Sequence, residues 1–173
     1  MKRIILFLTY TVLFIGFSRI NGQQLSIYAN SLNGIVAENN FEGGSRGISL
    51  GINYLHPLNQ NLKWLAGTEF NSISWGNNIV ANIGLNYSRP IANKWSWSAT
   101  LIIQQGIALF KPTAFYTWGL SSATGIEYSV SSKSTIFLGT GLKYYSCPAY
   151  KSYSLLSHYL DFPIELGYRF KLK

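Results

Sequence analysis

The sequence predicts an all-β fold: an eight-stranded antiparallel transmembrane β-barrel with short periplasmic turns and longer extracellular loops. Three observations lead there. From Arg46 onward, apolar and polar residues alternate with period two, which is the pattern of a strand with one wet and one apolar face. The polar face is built mainly of Gly, Ser, Asn and Thr. On the apolar face, the aromatic residues gather at strand ends beside the short connections.

Composition narrows the class before any element is drawn. The chain has 173 residues, of which 16% are aromatic and 12% charged. A disordered chain would be poor in aromatics and rich in charge. One cysteine excludes a disulfide framework and a multi-thiolate metal site. The net charge of +8 is spread thinly, with no Lys/Arg stripe of the kind that tracks phosphates. Nucleic acid is therefore not an expected partner.

The first 22 residues read as a secretory signal. Lys2 and Arg3 form a basic start, an apolar stretch runs from Ile4 to Phe17, and Ser18-Arg19-Ile20-Asn21-Gly22 turns polar and ends small. An apolar core of about 14 residues is short of the roughly 20 a spanning helix needs. Cleavage after Gly22 leaves 23–173 as one barrel domain. Losing Lys2, Arg3 and Arg19 lowers the net charge from +8 to +5.

The strands follow in order. A weak one covers roughly 25–32. In 46–56, Ile48, Leu50, Ile52 and Tyr54 oppose Gly47, Ser49, Gly51 and Asn53. In 62–71, Leu62, Trp64, Ala66 and Phe70 oppose Lys63, Gly67, Glu69 and Asn71. In 78–88, isoleucines, Leu85 and Tyr87 oppose asparagines, Gly84 and Ser88. In 95–106, Trp95, Trp97, Leu101 and Ile103 oppose Ser96, Ser98, Thr100, Gln104 and Gly106. Segments 119–130 and 135–145 repeat the pattern, and the last strand, 160–172, is the cleanest. Polar connections at 57–61, 90–94 and 131–134 recur after every second strand and carry Pro and Asn for turn geometry. Longer irregular loops are expected at 33–45, 107–118 and 146–159, with a short one near 75–77. Short turns on one rim and long loops on the other are the plan of an outer-membrane barrel.

Alternation also fits a soluble lipocalin-like barrel with the apolar face inside. Two features favour the membrane. A soluble outer face carries many Lys and Glu, whereas the mature chain holds 17 charged residues in all. Second, Tyr54, Trp64, Tyr87, Trp95, Trp97, Tyr128, Tyr168 and Phe170 all lie near a short turn or the C-terminus. They form an expected aromatic girdle at one membrane interface.

The signal, the eight strands and the final Leu166-Gly167-Tyr168-Arg169-Phe170-Lys171-Leu172 resemble small outer-membrane β-barrel proteins of the OmpA/OmpX-like type. The Asn-Gly-Gln cleavage region and the Lys- and Tyr-rich strands look like those of Bacteroidota. The resemblance implies residence in the cell outer membrane, in contact with its lipid and lipopolysaccharide. It further implies delivery by the barrel assembly machinery through the C-terminal strand, as a monomer. It implies little about activity, because such barrels serve many ends.

The chemistry-bearing side chains fall on the expected lumen face: Lys63, Glu69, Glu127, Lys143, Asp161, Glu165, Arg169 and Lys171. Four charges of each sign predict an internal polar network, since buried charges persist when paired. An eight-stranded barrel is just wide enough for its side chains to fill, so the lumen is expected to be plugged. A narrow passive pore stays open as an alternative.

Catalysis is not expected. Some eight-stranded barrels hydrolyse lipid A with a Ser/His/Glu set, but no His-x-Ser spacing occurs here. Ser157 and His158 are adjacent and would point to opposite faces of a strand. His56 belongs to the other rim and cannot complete a triad with them. No metal or cofactor set is expected. Cys147 reads as an incidental thiol. Aromatics expected in loops, among them Phe110, Phe115, Tyr116, Trp118 and Tyr159, read as an outer interfacial belt or as partner-binding residues.

Overall fold

The computed structural model of the chain describes residues 22–35, 45–73, 76–110, 113–148 and 158–172. The expected signal lies outside them except for Gly22. Nine strand segments follow one another: β1 (Gln24–Ile35), β2 (Ser45–Pro57), β3 (Leu62–Ile73), β4 (Gly76–Ala92), β5 (Trp95–Phe110), β6 (Thr113–Ser129), β7 (Ser134–Ser146), β8 (His158–Asp161) and β9 (Ile164–Lys171). From β1 to β8 each pairs antiparallel with the next, β8 also pairs with β1, and β9 pairs with both β7 and β1. The sheet therefore closes. β8 and β9 are two halves of one stave, interrupted at Phe162-Pro163, so the barrel has eight staves.

The register fixes the barrel's shape. Paired residues lead from Arg169 through Ser26, Asn53, Gly67, Asn82, Gln104, Gly119 and Tyr145 to Tyr159. That is the starting stave again, ten residues away. With a rise of about 3.3 Å per residue and about 4.7 Å between strands, such a stagger tilts the strands by about 40°.

One expected loop is not a loop. The residues read as irregular between 107 and 118 are mostly strand, because β5 runs to Phe110 and β6 starts at Thr113. Tyr116, Trp118 and Leu120 keep an outward alternation that the apolar run around them obscures in the sequence. β5 has 16 residues and β6 has 17. At that tilt they rise about 40 Å along the axis, well past an apolar band of about 25 Å. Likewise His158 and Tyr159, read as loop, begin the last stave.

The short turns are built as the residues dictate. Asn59 accepts from the backbone of Asn61 and Leu62 through its side-chain oxygen at 2.9 and 2.8 Å, an Asx-type turn. Outward residues are apolar along every stave, with Ile48, Leu50, Leu101, Leu138, Ile164 and Leu166 all more than half exposed. The hydroxyls on that face do not waste their bonds. Thr68, Thr124 and Thr140 donate to backbone carbonyls of Val80, Ser98 and Pro163.

Candidate functional site

Inward positions hold the buried polar residues, and they sort by height. Nearest the short turns, Arg169 pairs with Glu127 at 2.7 Å, and Ser88 donates to the same carboxylate at 3.0 Å. The Arg169 guanidinium also lies over the Phe137 ring, 4.9 Å from its centroid, a cation–π contact. Lys63 donates to Gln24 at 3.0 Å beside them. Above lies an apolar cluster of Leu55, Leu65 and Ile102.

The middle of the lumen is polar again. Lys143 and Glu69 form an ion pair buried from solvent on both sides. Tyr28 donates to the second Glu69 oxygen at 2.8 Å, and Tyr145 donates to the first at 3.3 Å. Asn82 donates to Tyr28, and Gln104 donates to Asn82, each at 2.9 Å. With its amide nitrogen turned toward Glu165, Asn30 donates to that carboxylate at 3.2 Å and accepts from Lys143 at 2.9 Å. A second apolar cluster, Leu32, Val80, Tyr145 and Tyr159, caps this layer toward the long loops. A cavity of about 20 Å³ touches both groups and the cluster between them, lined in part by Arg169, Phe137, Leu55, Ile102, Lys143 and Glu165. That is room for about one water.

The eight charged residues expected in the lumen thus divide. Glu69, Lys143 and Glu165 meet in the middle, while Glu127 and Arg169 meet below with Lys63 close by. Asp161 accepts from the backbone N–H of Asn33. Lys171 stands apart, exposed at the mouth. One network of eight becomes two groups of three, with Asp161 bound to the backbone of β1 and Lys171 at the rim.

Sequence reasoning missed the large lumen residues. Tyr28, Leu65, Val80, Ile102, Phe137 and Tyr145 all point inward and are buried. Each faces a glycine in register: Tyr28 faces Gly51, Leu65 and Ile102 share Gly84, Val80 faces Gly106, Tyr145 faces Gly119 and Phe137 faces Gly167. A methyl group at Gly51 would meet the Tyr28 ring, and one at Gly167 the Phe137 ring. Glycine leaves the space that each large side chain fills.

The expected girdle residues lie at the short-turn rim in four ring pairs: Tyr54–Trp64 at 5.8 Å, Tyr87–Trp97 at 6.0 Å, Trp95–Tyr128 at 4.8 Å and Tyr168–Phe170 at 6.4 Å. Seven of them are exposed or half-exposed, whereas Tyr54 is buried beneath its neighbours. His56 packs into the first of these pairs. At the opposite rim, Trp118, Tyr144 and His158 form a second group, with Tyr144 and His158 Nδ1 hydrogen-bonded at 2.7 Å. Tyr159 is not in the belt; it stacks on Tyr145 inside the lumen, 4.8 Å away. Ser157, Phe41, Trp75, Tyr150 and Tyr153 lie outside the described residues. Among the described residues, no group of His, Cys, Asp and Glu could hold a metal ion.

No family model matches the chain, and no curated protein matches it in sequence. Solved structures do. Neisserial surface protein A (NspA) matches with a TM-score of 0.62 at 14% identity, over 87% of this chain and 97% of that one. Ail, the attachment invasion locus protein of Yersinia pestis, matches with a TM-score of 0.51 at 14% identity, over 87% of this chain and all of the other. The chain has the fold of these small eight-stranded outer-membrane barrels, and the apolar belt it turns outward sets it in the outer membrane.

Proposed function

We propose that this chain is a non-conducting integral outer-membrane barrel with a structural and surface-interaction role. The observation that carries the reading is the layered lumen: the Glu127–Arg169 and Glu69–Lys143 pairs alternate with the Leu55 and Leu32 clusters. A permeating ion would have to part both charge pairs in a poorly solvated interior and cross two apolar layers, each step costly. The long β4–β6 staves lift Leu109 and Tyr116 beyond the apolar band, where they present a surface to partners outside the cell. Contact with lipid and lipopolysaccharide, and delivery by the assembly machinery through β9, belong to the same reading. We assign no catalytic role, since His56 and His158 occupy opposite rims and both sit in aromatic clusters.

Planar-bilayer recording tests the plug. Protein extracted from the outer membrane and inserted at low concentration is expected to give no unitary current steps. Reproducible steps from wild-type protein would replace this reading with that of a narrow pore.

A further inference from the structure

The charges of the described residues are segregated by location. All four described carboxylates, Glu69, Glu127, Asp161 and Glu165, point into the lumen, and both ion pairs among the described residues are there. At the short-turn rim the exposed charges among the described residues are all cationic: Arg89 near the end of β4, Lys94 in the β4–β5 turn, Lys133 in the β6–β7 turn and Lys171 ending β9. No described Asp or Glu is exposed beside them.

Backbone bonds hold these cations in place. Ser129 donates to the Lys94 carbonyl at 2.8 Å, tying the first turn to β6. The Lys171 backbone N–H donates to the Lys133 carbonyl at 2.8 Å, which sets the end of β9 beside the β6–β7 turn. Folding thus concentrates like charge on one rim, a field that favours the approach of anions.

The same rim is apolar at its tips. Leu58, Ile91 and Val130, one in or beside each short turn, are 54%, 65% and 48% exposed. Trp95 and Trp97 lie just above, and Lys94 leans over the Tyr128 ring at 6.0 Å. An aromatic belt marks the level of lipid headgroups. Cations directly beyond such a belt, with apolar tips between them, match a phosphate layer over acyl chains. A soluble acidic polymer would leave Leu58, Ile91 and Val130 in water.

We propose that the short-turn rim is a binding surface for the anionic headgroups of phospholipids in the periplasmic leaflet, with Arg89, Lys94, Lys133 and Lys171 as its cations. Phosphatidylglycerol is the probe.

The test uses protein extracted from the outer membrane and placed in phosphatidylcholine nanodiscs containing brominated phosphatidylglycerol or brominated phosphatidylcholine. Bromine quenches nearby tryptophan, so the ratio of quenching reports which lipid occupies the annulus. A preference for phosphatidylglycerol of about fivefold per engaged headgroup is expected at low salt, falling toward one at high salt. The combined variant Arg89→Gln, Lys94→Gln, Lys133→Gln, Lys171→Gln should lose the preference while still shifting on unboiled SDS gels. If that variant fails to fold, the single turn variants Lys94→Gln and Lys133→Gln should each reduce the preference. Equal quenching by both lipids in wild type overturns the proposal, as does a preference that the variants retain. Absence of lipid preference together with sedimentation on purified peptidoglycan, lost in the variants, would overturn it too and give the rim to the cell wall.

Discussion

At the scale of the residue, the barrel depends on a few desolvated charges with defined partners. Glu69 accepts from Lys143, Tyr28 and Tyr145, so replacing it with Ala removes the counterion of a buried ammonium and the acceptor of Tyr28, while Tyr145 keeps Asn71 and Lys143 keeps Asn30. Removing one partner of a buried pair costs about 3–5 kcal/mol. Glu69→Ala is expected to lose that much in urea unfolding from lipid vesicles followed by tryptophan fluorescence. The double variant Glu69→Gln/Lys143→Met keeps an acceptor for the tyrosines and removes both charges, so it should regain at least half of the loss. A cost for Glu69→Ala below about 1 kcal/mol would mean that water reaches the pair, contrary to a plugged lumen. These charged positions were legible in the sequence because alternation assigns each side chain a face. Their grouping was not, since which residues share a height depends on the stagger of ten residues around the barrel, a long-range property. The Tyr28–Gly51 and Phe137–Gly167 pairs were hidden for the same reason. Each half was visible as a residue on a strand, but the register that joins them was not.

At the scale of the element, most staves were readable because one face meets lipid and the other a crowded lumen, which imposes strict alternation. Legibility failed where that contrast fades. Between 107 and 118 the staves leave the apolar band, and Phe115, Tyr116 and Trp118 blur the period. The last stave hides a different irregularity. Pro163 has no N–H to give a ladder, and strand pairing lapses between Asp161 and Ile164. Two side-chain bonds bridge the gap: Asn33 donates its backbone N–H to Asp161, and Thr140 donates to the Pro163 carbonyl at 2.9 Å. Asp161 is completely buried. Asp161→Asn keeps an acceptor for Asn33 and should change stability by less than about 1 kcal/mol, whereas Asp161→Ala leaves a backbone donor unmet and should cost about 1–3 kcal/mol. The same unfolding measurement distinguishes them. Equal costs for the two variants would show that the carboxylate's charge, rather than its bond to Asn33, matters at the break.

At the scale of the whole molecule, the decisive property is polarity: ion pairs inside, leucine and isoleucine outside, in a sheet without an edge. Closure gives every stave a paired neighbour on both sides, which the hydrocarbon interior demands, and the outward apolar residues then face a solvent that welcomes them. The same outer surface in water would make an aggregating protein, so a change on the outer face separates the two settings. Leu166 is 57% exposed, near the middle of the last stave and flanked by Ile164 and Tyr168. In a soluble barrel an exposed Leu166→Arg change would be nearly silent, within about 0.5 kcal/mol. In a bilayer it sets a guanidinium against acyl chains near the midplane, at a cost of about 2–4 kcal/mol. Leu58→Arg supplies the control. It is equally exposed, at 54%, but lies in a short turn at the headgroup level, where the cost falls to about 0–1 kcal/mol. Measured side by side in vesicles, Leu166→Arg should be the more destabilised by at least about 1 kcal/mol. If both substitutions are silent, the outer face does not meet lipid, and the apolar belt must be covered by another protein.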